Sequence, residues 1–128
     1  MLHYTSTFSS FSTDDIEKAH EFYSETLGLN VIKDEMGILT LHLADGARAI
    51  IYPKGENHQP ATFTVLNFEV DNIEASVDQL IDAGIVFEQY TGKLQTDEKG
   101  IFRGEGPLIA WCKDNAGNIL SIIEADDT

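Results

Sequence analysis

Two stretches of this chain repeat one another: Thr13-Asp14-Asp15-Ile16-Glu17 and Val70-Asp71-Asn72-Ile73-Glu74. Asp14, Ile16 and Glu17 recur as Asp71, Ile73 and Glu74, each at an offset of 57. In 128 residues, a repeat of that period points to two half-size modules built on one plan. Each copy follows an alternating stretch and opens a helical pattern. Asp14 is placed to cap the first helix, with Glu17 three residues on to complete a capping box, and Asp71 with Glu74 repeats the arrangement. Both helices carry acidic groups in the first turn, where the helix dipole favours them.

Periodicity then places the remaining elements. The first helix is expected over 15–26, with Ile16, Ala19, Phe22, Tyr23 and Leu27 along one side and Gly28 as its left-handed stop. The second is expected over 72–83, with Ile73, Val77, Leu80 and Ile81 inward and Gly84 as its stop. Alternation predicts strands near 4–11, 29–34, 38–43 and 47–52, with Met36-Gly37 and Asp45-Gly46 as turns. Residues 53–60 hold two of the three prolines and read as a linker. The pattern restarts with strands near 62–70, 85–90, 108–113 and 119–123, the last two joined by a tight turn at Asp114-Asn115-Ala116-Gly117-Asn118. Residues 91–107, rich in glycine, read as a loop with one weak strand near 101–103. The expectation is an α+β chain of two βαβββ modules, 1–57 and 58–128, whose sheets form a shared concave half-barrel with the helices outside.

Composition narrows the function classes. Eight Lys plus Arg against 22 Asp plus Glu give a formal charge of −14. Such a chain repels phosphate backbones and anionic lipid, so nucleic acid and membrane partners are not expected, whereas cations are attracted. The single cysteine, Cys112, rules out an internal disulfide. No apolar run approaches a membrane span, and the first residues lack a secretory pattern, so the expected address is the cytoplasm.

The segment Asp15-Ile16-Glu17-Lys18-Ala19, followed by Phe22-Tyr23 and Leu27-Gly28-Leu29, resembles the opening signature of the glyoxalase/bleomycin-resistance/dioxygenase superfamily, the vicinal-oxygen-chelate fold. Asp114-Asn115-Ala116-Gly117-Asn118-Ile119-Leu120 resembles its closing turn, with Asn115 where proline is usual. The resemblance implies paired βαβββ modules, a shared cavity and a homodimer. In the enzymes it implies a divalent metal held by four side chains, His, Gln or Glu, from the first and last strands of each module. Carried onto this chain, the first ligand position lies seven residues before Asp15, at Phe8, and its counterpart seven before Asn72, at Val65. Another lies four beyond Gly117, at Ser121, and the last falls on the face shared by Arg48, Ile50 and Tyr52. Phenylalanine and valine have no donor atom, and a lone hydroxyl is a poor ligand, so no metal or other cofactor is expected.

Alternation assigns the strand faces instead. Phe11, Leu66, Phe68, Val70, Leu120 and Ile122 should pack on the helices. Phe8, Ser10, Ser12, Val65, Asn67, Glu69, Ile119, Ser121 and Ile123 should face the cavity, making an apolar floor with a few polar groups. His42 reads as a cavity base, an alternative metal ligand, or a solvent-facing strand residue; His3, His20 and His58 read as incidental. Glu69 could pair a ligand cation or sit on a wet rim. Tyr52 and Trp111 offer flat walls for stacking, although a core place suits Trp111 equally. Cys112 reads as a small core residue, and Arg103 as an anion clamp or a surface ion-pair partner.

The expected function is therefore binding of a small hydrophobic or cationic molecule, with Phe8, Ser10, His42, Tyr52, Val65, Asn67, Glu69, Trp111 and Ser121 as candidate contacts. The alternative is a metal-dependent lyase, isomerase or dioxygenase with non-standard ligands, for which His42 and Glu69 would be the remaining donors and a divalent metal the cofactor. A regulatory subunit that kept a dimer and lost its pocket is a third reading.

Overall fold

The structure is a computed structural model and describes residues 1–124. The chain forms two compact units, Met1–Pro60 and Ala61–Thr128, and the division falls at the end of the proline-bearing segment.

In the first unit the strands are β1 (Ser9–Thr13), β2 (Asn30–Lys33), β3 (Leu39–His42) and β4 (Arg48–Pro53). They form one mixed sheet in the order β1-β4-β3-β2, with β1 parallel to β4 and the other pairs antiparallel. In the second unit they are β5 (Thr64–Val70), β6 (Ile101–Phe102), β7 (Ile109–Lys113) and β8 (Ile119–Glu124). Their order, β5-β8-β7-β6, with β5 parallel to β8, repeats the first unit strand for strand. The repeat read from sequence is thus a repeat of topology, and the α+β class holds.

One helix covers one face of each sheet. Helix α1 (Ile16–Glu21) begins at Asp15, whose carboxylate accepts from Lys18 N at 3.1 Å; α2 (Ile73–Asp82) begins at Asn72, whose side-chain oxygen accepts from Ala75 N at 3.1 Å. The caps therefore sit one residue beyond the expected Asp14 and Asp71. Glu17 and Glu74 fall in the first turn but do not close capping boxes. Glu17 pairs with Lys33, and Glu74 with Arg103 and Lys99.

The expected helix over 15–26 changes pitch at Phe22. Residues Phe22–Thr26 form a π-turn, with Leu27 N donating to Phe22 O at 3.0 Å and Leu29 N reaching Tyr23 O at 2.9 Å. Gly28, at φ 72°, lets the chain leave in the left-handed region, as expected.

Each core lies between a helix and its sheet. Ala19 and Tyr23 are fully buried against Phe11, Leu39, Leu41, Ala49 and Ile51 of the first sheet face, with the Phe11 and Tyr23 rings 6.1 Å apart. Ile73 and Val77 are fully buried with Leu120, Ile122, Ala110, Cys112 and Ile101 of the second. Burying an aliphatic side chain of this size contributes roughly 1.5–3 kcal/mol. Ile81 does not join them: it is 42% exposed, near the end of the helix.

Residues 85–90 differ from the expected strand. Ile85 and Phe87 are buried and Val86 is exposed, so the alternation is real. The segment nevertheless forms no ladder; Glu88 N donates to Trp111 O at 2.8 Å, and the Glu88 carboxylate pairs with Lys113, to hold it beside the sheet. The fourth strand of the second sheet is instead β6, where the weak strand near 101–103 was read. β1 also begins later than expected, at Ser9.

Three turns share one construction. Asp34, Asp97 and Asp114 each accept, through Oδ1, the backbone N–H groups two and four residues on, at 2.8 to 3.0 Å. A glycine three residues after each aspartate, Gly37, Gly100 and Gly117, takes a positive φ. In the third turn Asn118 is almost fully buried; its Nδ2 donates to Asp114 Oδ2 at 3.1 Å, and its Oδ1 accepts from Ala61 N at 3.1 Å.

Candidate functional site

Strand registers decide which side chains each sheet leaves uncovered by its helix. On the first sheet, Asn30, His42 and Arg48 lie directly across from one another on β2, β3 and β4. The next row is Ile32, Thr40, Ile50 and Ser10, and beyond it Tyr52 lies beside Ser12. Phe8 precedes β1, and the Arg48 guanidinium lies 5.2 Å from its ring centroid. Ser10, His42 and Phe8 are exposed, and Tyr52 is 36% exposed. Four candidates, Phe8, Ser10, His42 and Tyr52, therefore share with the neighbouring Arg48 the face away from α1.

On the second sheet, Asn67, Ser121 and Trp111 form one row across β5, β8 and β7, and Glu69, Ile123, Ile109 and Phe102 form the next. Both rows lie opposite the face packed on α2. Ser121 is almost fully buried, and its hydroxyl donates to Asn67 Oδ1 at 2.5 Å. Trp111 is half-buried; its ring centroid lies 5.5 Å from Tyr90 at an interplanar angle of 65°, and 6.3 Å from Phe102 at 47°. Glu69 is exposed. Val65 is half-buried at a break in register: Thr64 pairs with Ile119 and Leu66 with Leu120, so Val65 is an extra residue with no partner across the ladder.

Two charged or reactive groups read from sequence are accounted for elsewhere. Arg103 pairs with Glu74 and, through Nε at 2.9 Å, with Asp97, so it ties the β6 hairpin to α2 instead of clamping an anion. Cys112 is buried under α2, and burial, helped by the charges of Asp114 and Glu88, pushes its thiol up to about 12. It is a core thiol and not a nucleophile at neutral pH.

Sequence reasoning passed over two features of these faces. His58, read as incidental, places Nδ1 2.7 Å from Ser12 Oγ and so fastens the proline-bearing segment to the first sheet. Tyr90 and Phe102 were not read as neighbours of Trp111. The signal was present for Phe102, whose alternation with Ile101 puts it on the Trp111 side once β6 is recognised. Tyr90 lies outside any ladder, so register alone could not place it.

The residues at the metal positions implied by the family do not fit a divalent ion. Phe8 and Val65 offer no donor, the Ser121 hydroxyl is committed to Asn67, and Arg48 brings positive charge to the remaining strand. Among the described residues, no group of three or more His, Cys, Asp or Glu side chains could hold a metal ion. No described helix is long and apolar enough to cross a membrane.

Solved structures share this architecture over nearly their whole length. UcmS2 superimposes with a TM-score of 0.74 at 20% identity, with 97% of this chain and 100% of that one covered. TnmS3, an antibiotic binding protein from Streptomyces sp. CB03234, gives 0.70 at 19% identity, with 98% and 100% covered. The virulence protein STM3117 from Salmonella typhimurium gives 0.67 at 18% identity, with 98% and 100% covered. No curated protein matches the sequence closely enough to compare. The duplicated βαβββ topology agrees with the match of residues 2–122 to a family model, and the chain belongs to the Glyoxalase/Bleomycin resistance protein/Dioxygenase superfamily.

Proposed function

We propose that the protein binds a small hydrophobic or cationic molecule and does so without a metal ion. The observation that carries this reading is the half-exposed Trp111, held between Tyr90 and Phe102 beside the Ser121–Asn67 hydrogen bond. An indole fixed by edge contacts with its neighbours offers a flat, preorganised surface for a ring or an organic cation. Glu69, one row away, supplies a carboxylate for positive charge, and the −14 net charge attracts it. Asn67, Ser121 and Val65 complete the set on the second sheet; Phe8, Ser10, His42 and Tyr52 are the corresponding contacts on the first. That the structurally similar TnmS3 is an antibiotic binding protein supports a binding role. We further propose that the protein works as a homodimer in the cytoplasm; exposed Phe63 and Val86 support self-association.

The test uses the single tryptophan as its own reporter. The full chain is titrated with 9-aminoacridine, a flat cation, and with neutral naphthalene methanol, in buffer containing EDTA. Saturable quenching of Trp111 with the cation bound more tightly, weakened about tenfold or more by Glu69→Gln, is expected. Absence of saturable quenching by both probes, or binding that requires added Zn²⁺ or Mn²⁺, would overturn the reading.

A further inference from the structure

We propose that the first sheet carries a separate subsite for a carboxylate attached to an apolar body, built on Arg48. The argument begins with charge pairing. Lys33, Lys99, Arg103 and Lys113 each have a carboxylate partner. Arg48, Lys18, Lys54 and Lys93 have none among the described residues, and of these four only Arg48 is half-buried, the three lysines being exposed. A half-buried guanidinium is fixed by its surroundings in a way that an exposed lysine is not.

The guanidinium is also held in place. Phe8 lies 5.2 Å from its carbon, and one terminal nitrogen donates to Ser6 Oγ at 3.3 Å. A guanidinium has five N–H donors, so most of its fork remains free for a second, stronger acceptor. A planar carboxylate matches that fork with two parallel charge-assisted hydrogen bonds, which a single-point cation cannot reproduce.

The neighbours suit the same ligand. His42 lies directly opposite Arg48 on β3, where cross-strand side chains approach within about 5 Å at their Cβ atoms, and it is exposed. It can donate a ring N–H to the same anion, and Asn30 continues the row with an amide. The adjoining row is apolar at both Ile32, which is 54% exposed, and Ile50, and Phe8 is 54% exposed beside it. A polar row of Asn30, His42 and Arg48 bordered by Ile32, Ile50 and Phe8 recognises an acid whose hydrocarbon or ring lies next to its charged group. The fixed positive charge supplies at this sheet the attraction for oxygen that a bound cation would otherwise provide.

The experiment is an amide NMR titration of the ¹⁵N-labelled full chain with benzoate, benzamide and benzylammonium. Benzoate is expected to shift the amides of Asn30, His42 and Arg48 saturably and to bind at least about tenfold more tightly than the other two probes, the usual margin for a charged hydrogen-bonded acceptor. Arg48→Gln should abolish that preference, and Arg48→Lys should keep only part of it. His42→Gln should weaken benzoate less than Arg48→Gln does. Equal binding of benzoate and benzamide, shifts confined to the second unit, or an unchanged benzoate affinity in Arg48→Gln would each overturn the proposal. Arg48 is not in the core, and the spectrum of each variant reports directly whether its fold is intact.

Discussion

Ser121 Oγ and Asn67 Oδ1 are 2.5 Å apart across the parallel β5–β8 pair, and Ser121 is almost wholly buried while Asn67 is exposed. The bond fixes the orientation of the Asn67 amide beside Trp111. It also engages the Ser121 hydroxyl, which stands at one of the family's metal positions. Ser121→Ala leaves Asn67 free to turn to water, so the expected loss of stability is modest, about 0.5–1.5 kcal/mol in urea denaturation. A loss above about 3 kcal/mol would mean that Ser121 is held by more than this pairing.

Cys112 lies under α2 at 1% exposure, and its thiol is pushed up to about 12. A raised thiol pKa stabilises the fold at pH values below the unfolded value of 9.0, and that contribution is lost as pH rises towards 12. Iodoacetamide at pH 8 should therefore label the unfolded chain rapidly and the native chain at least about tenfold more slowly. Equal rates read by mass spectrometry would show the thiol to be accessible.

Asp97 ties its own turn and the neighbouring cation together. Burial alone would raise its carboxyl, but hydrogen bonds from Ile101 N, the Arg103 side chain and Lys99 N outweigh that and hold it below the ordinary 3.8. The stabilisation is present above the ordinary carboxylate range and disappears as pH falls through the lowered folded value. Asp97→Ala should cost about 1–3 kcal/mol at pH 7, and the difference from wild type should shrink on acidification below pH ~4. A difference that stayed constant down to pH ~2 would contradict this assignment of the charge.

Gly100 has φ 91°, and an added Cβ would lie 2.6 Å from Phe87 Cβ and 3.0 Å from Glu88 O. Backbone strain and collision act together there, because the obstruction is not a flexible side-chain tip. Gly100→Ala is expected to destabilise the second unit by about 2 kcal/mol or more. Gly92→Ala, at φ 80° with open space, should show the strain alone, about 1 kcal/mol. Thermal melts giving the two variants equal losses would sink the steric account.

Much of this architecture was legible because helices and alternating strands leave strong periodic signals. The Ala19–Tyr23 and Ile73–Val77 spacings mark the helix faces, and Gly28 and Gly84 mark the stops. The caps were read one residue early because Asp14 and Asp15 adjoin, and only the structure shows which carboxylate reaches a backbone N–H three residues on. The π-turn at Phe22 has no period of its own, since it arises where the Tyr23 ring packs on Phe11 and Phe22. Residues 85–87 alternate like a strand, yet burial of Ile85 and Phe87 satisfies that alternation without a ladder. The turn built on Asp114 was legible from its Asp-Asn-Ala-Gly-Asn run between two strand patterns. The same Asp with Gly three residues on recurs at Asp34 and Asp97, and reading all three would have located the start of β6.

The candidate faces followed from parity for Asn67, Glu69 and Ser121, whose register is regular beyond the break at Val65. Arg48 gained its meaning from Phe8 beneath it and from the His42 and Asn30 row beside it, which a composition count cannot reveal. His58 gained its meaning from Ser12, 46 residues away, a separation that local patterning does not span.

In each unit the first strand pairs with the last, Ser9 with Ala49 and Thr64 with Ile119, while His42 meets Arg48 and Lys113 meets Ile119 across six residues. Closing a short hairpin costs less chain entropy than closing a long loop, so the β3–β4 and β7–β8 hairpins form early and the parallel strands dock afterwards. During synthesis β1 and β5 must therefore wait, unpaired, for strands made tens of residues later. Until then each unit presents an open sheet edge, the state in which this chain is most exposed to pairing with a neighbour.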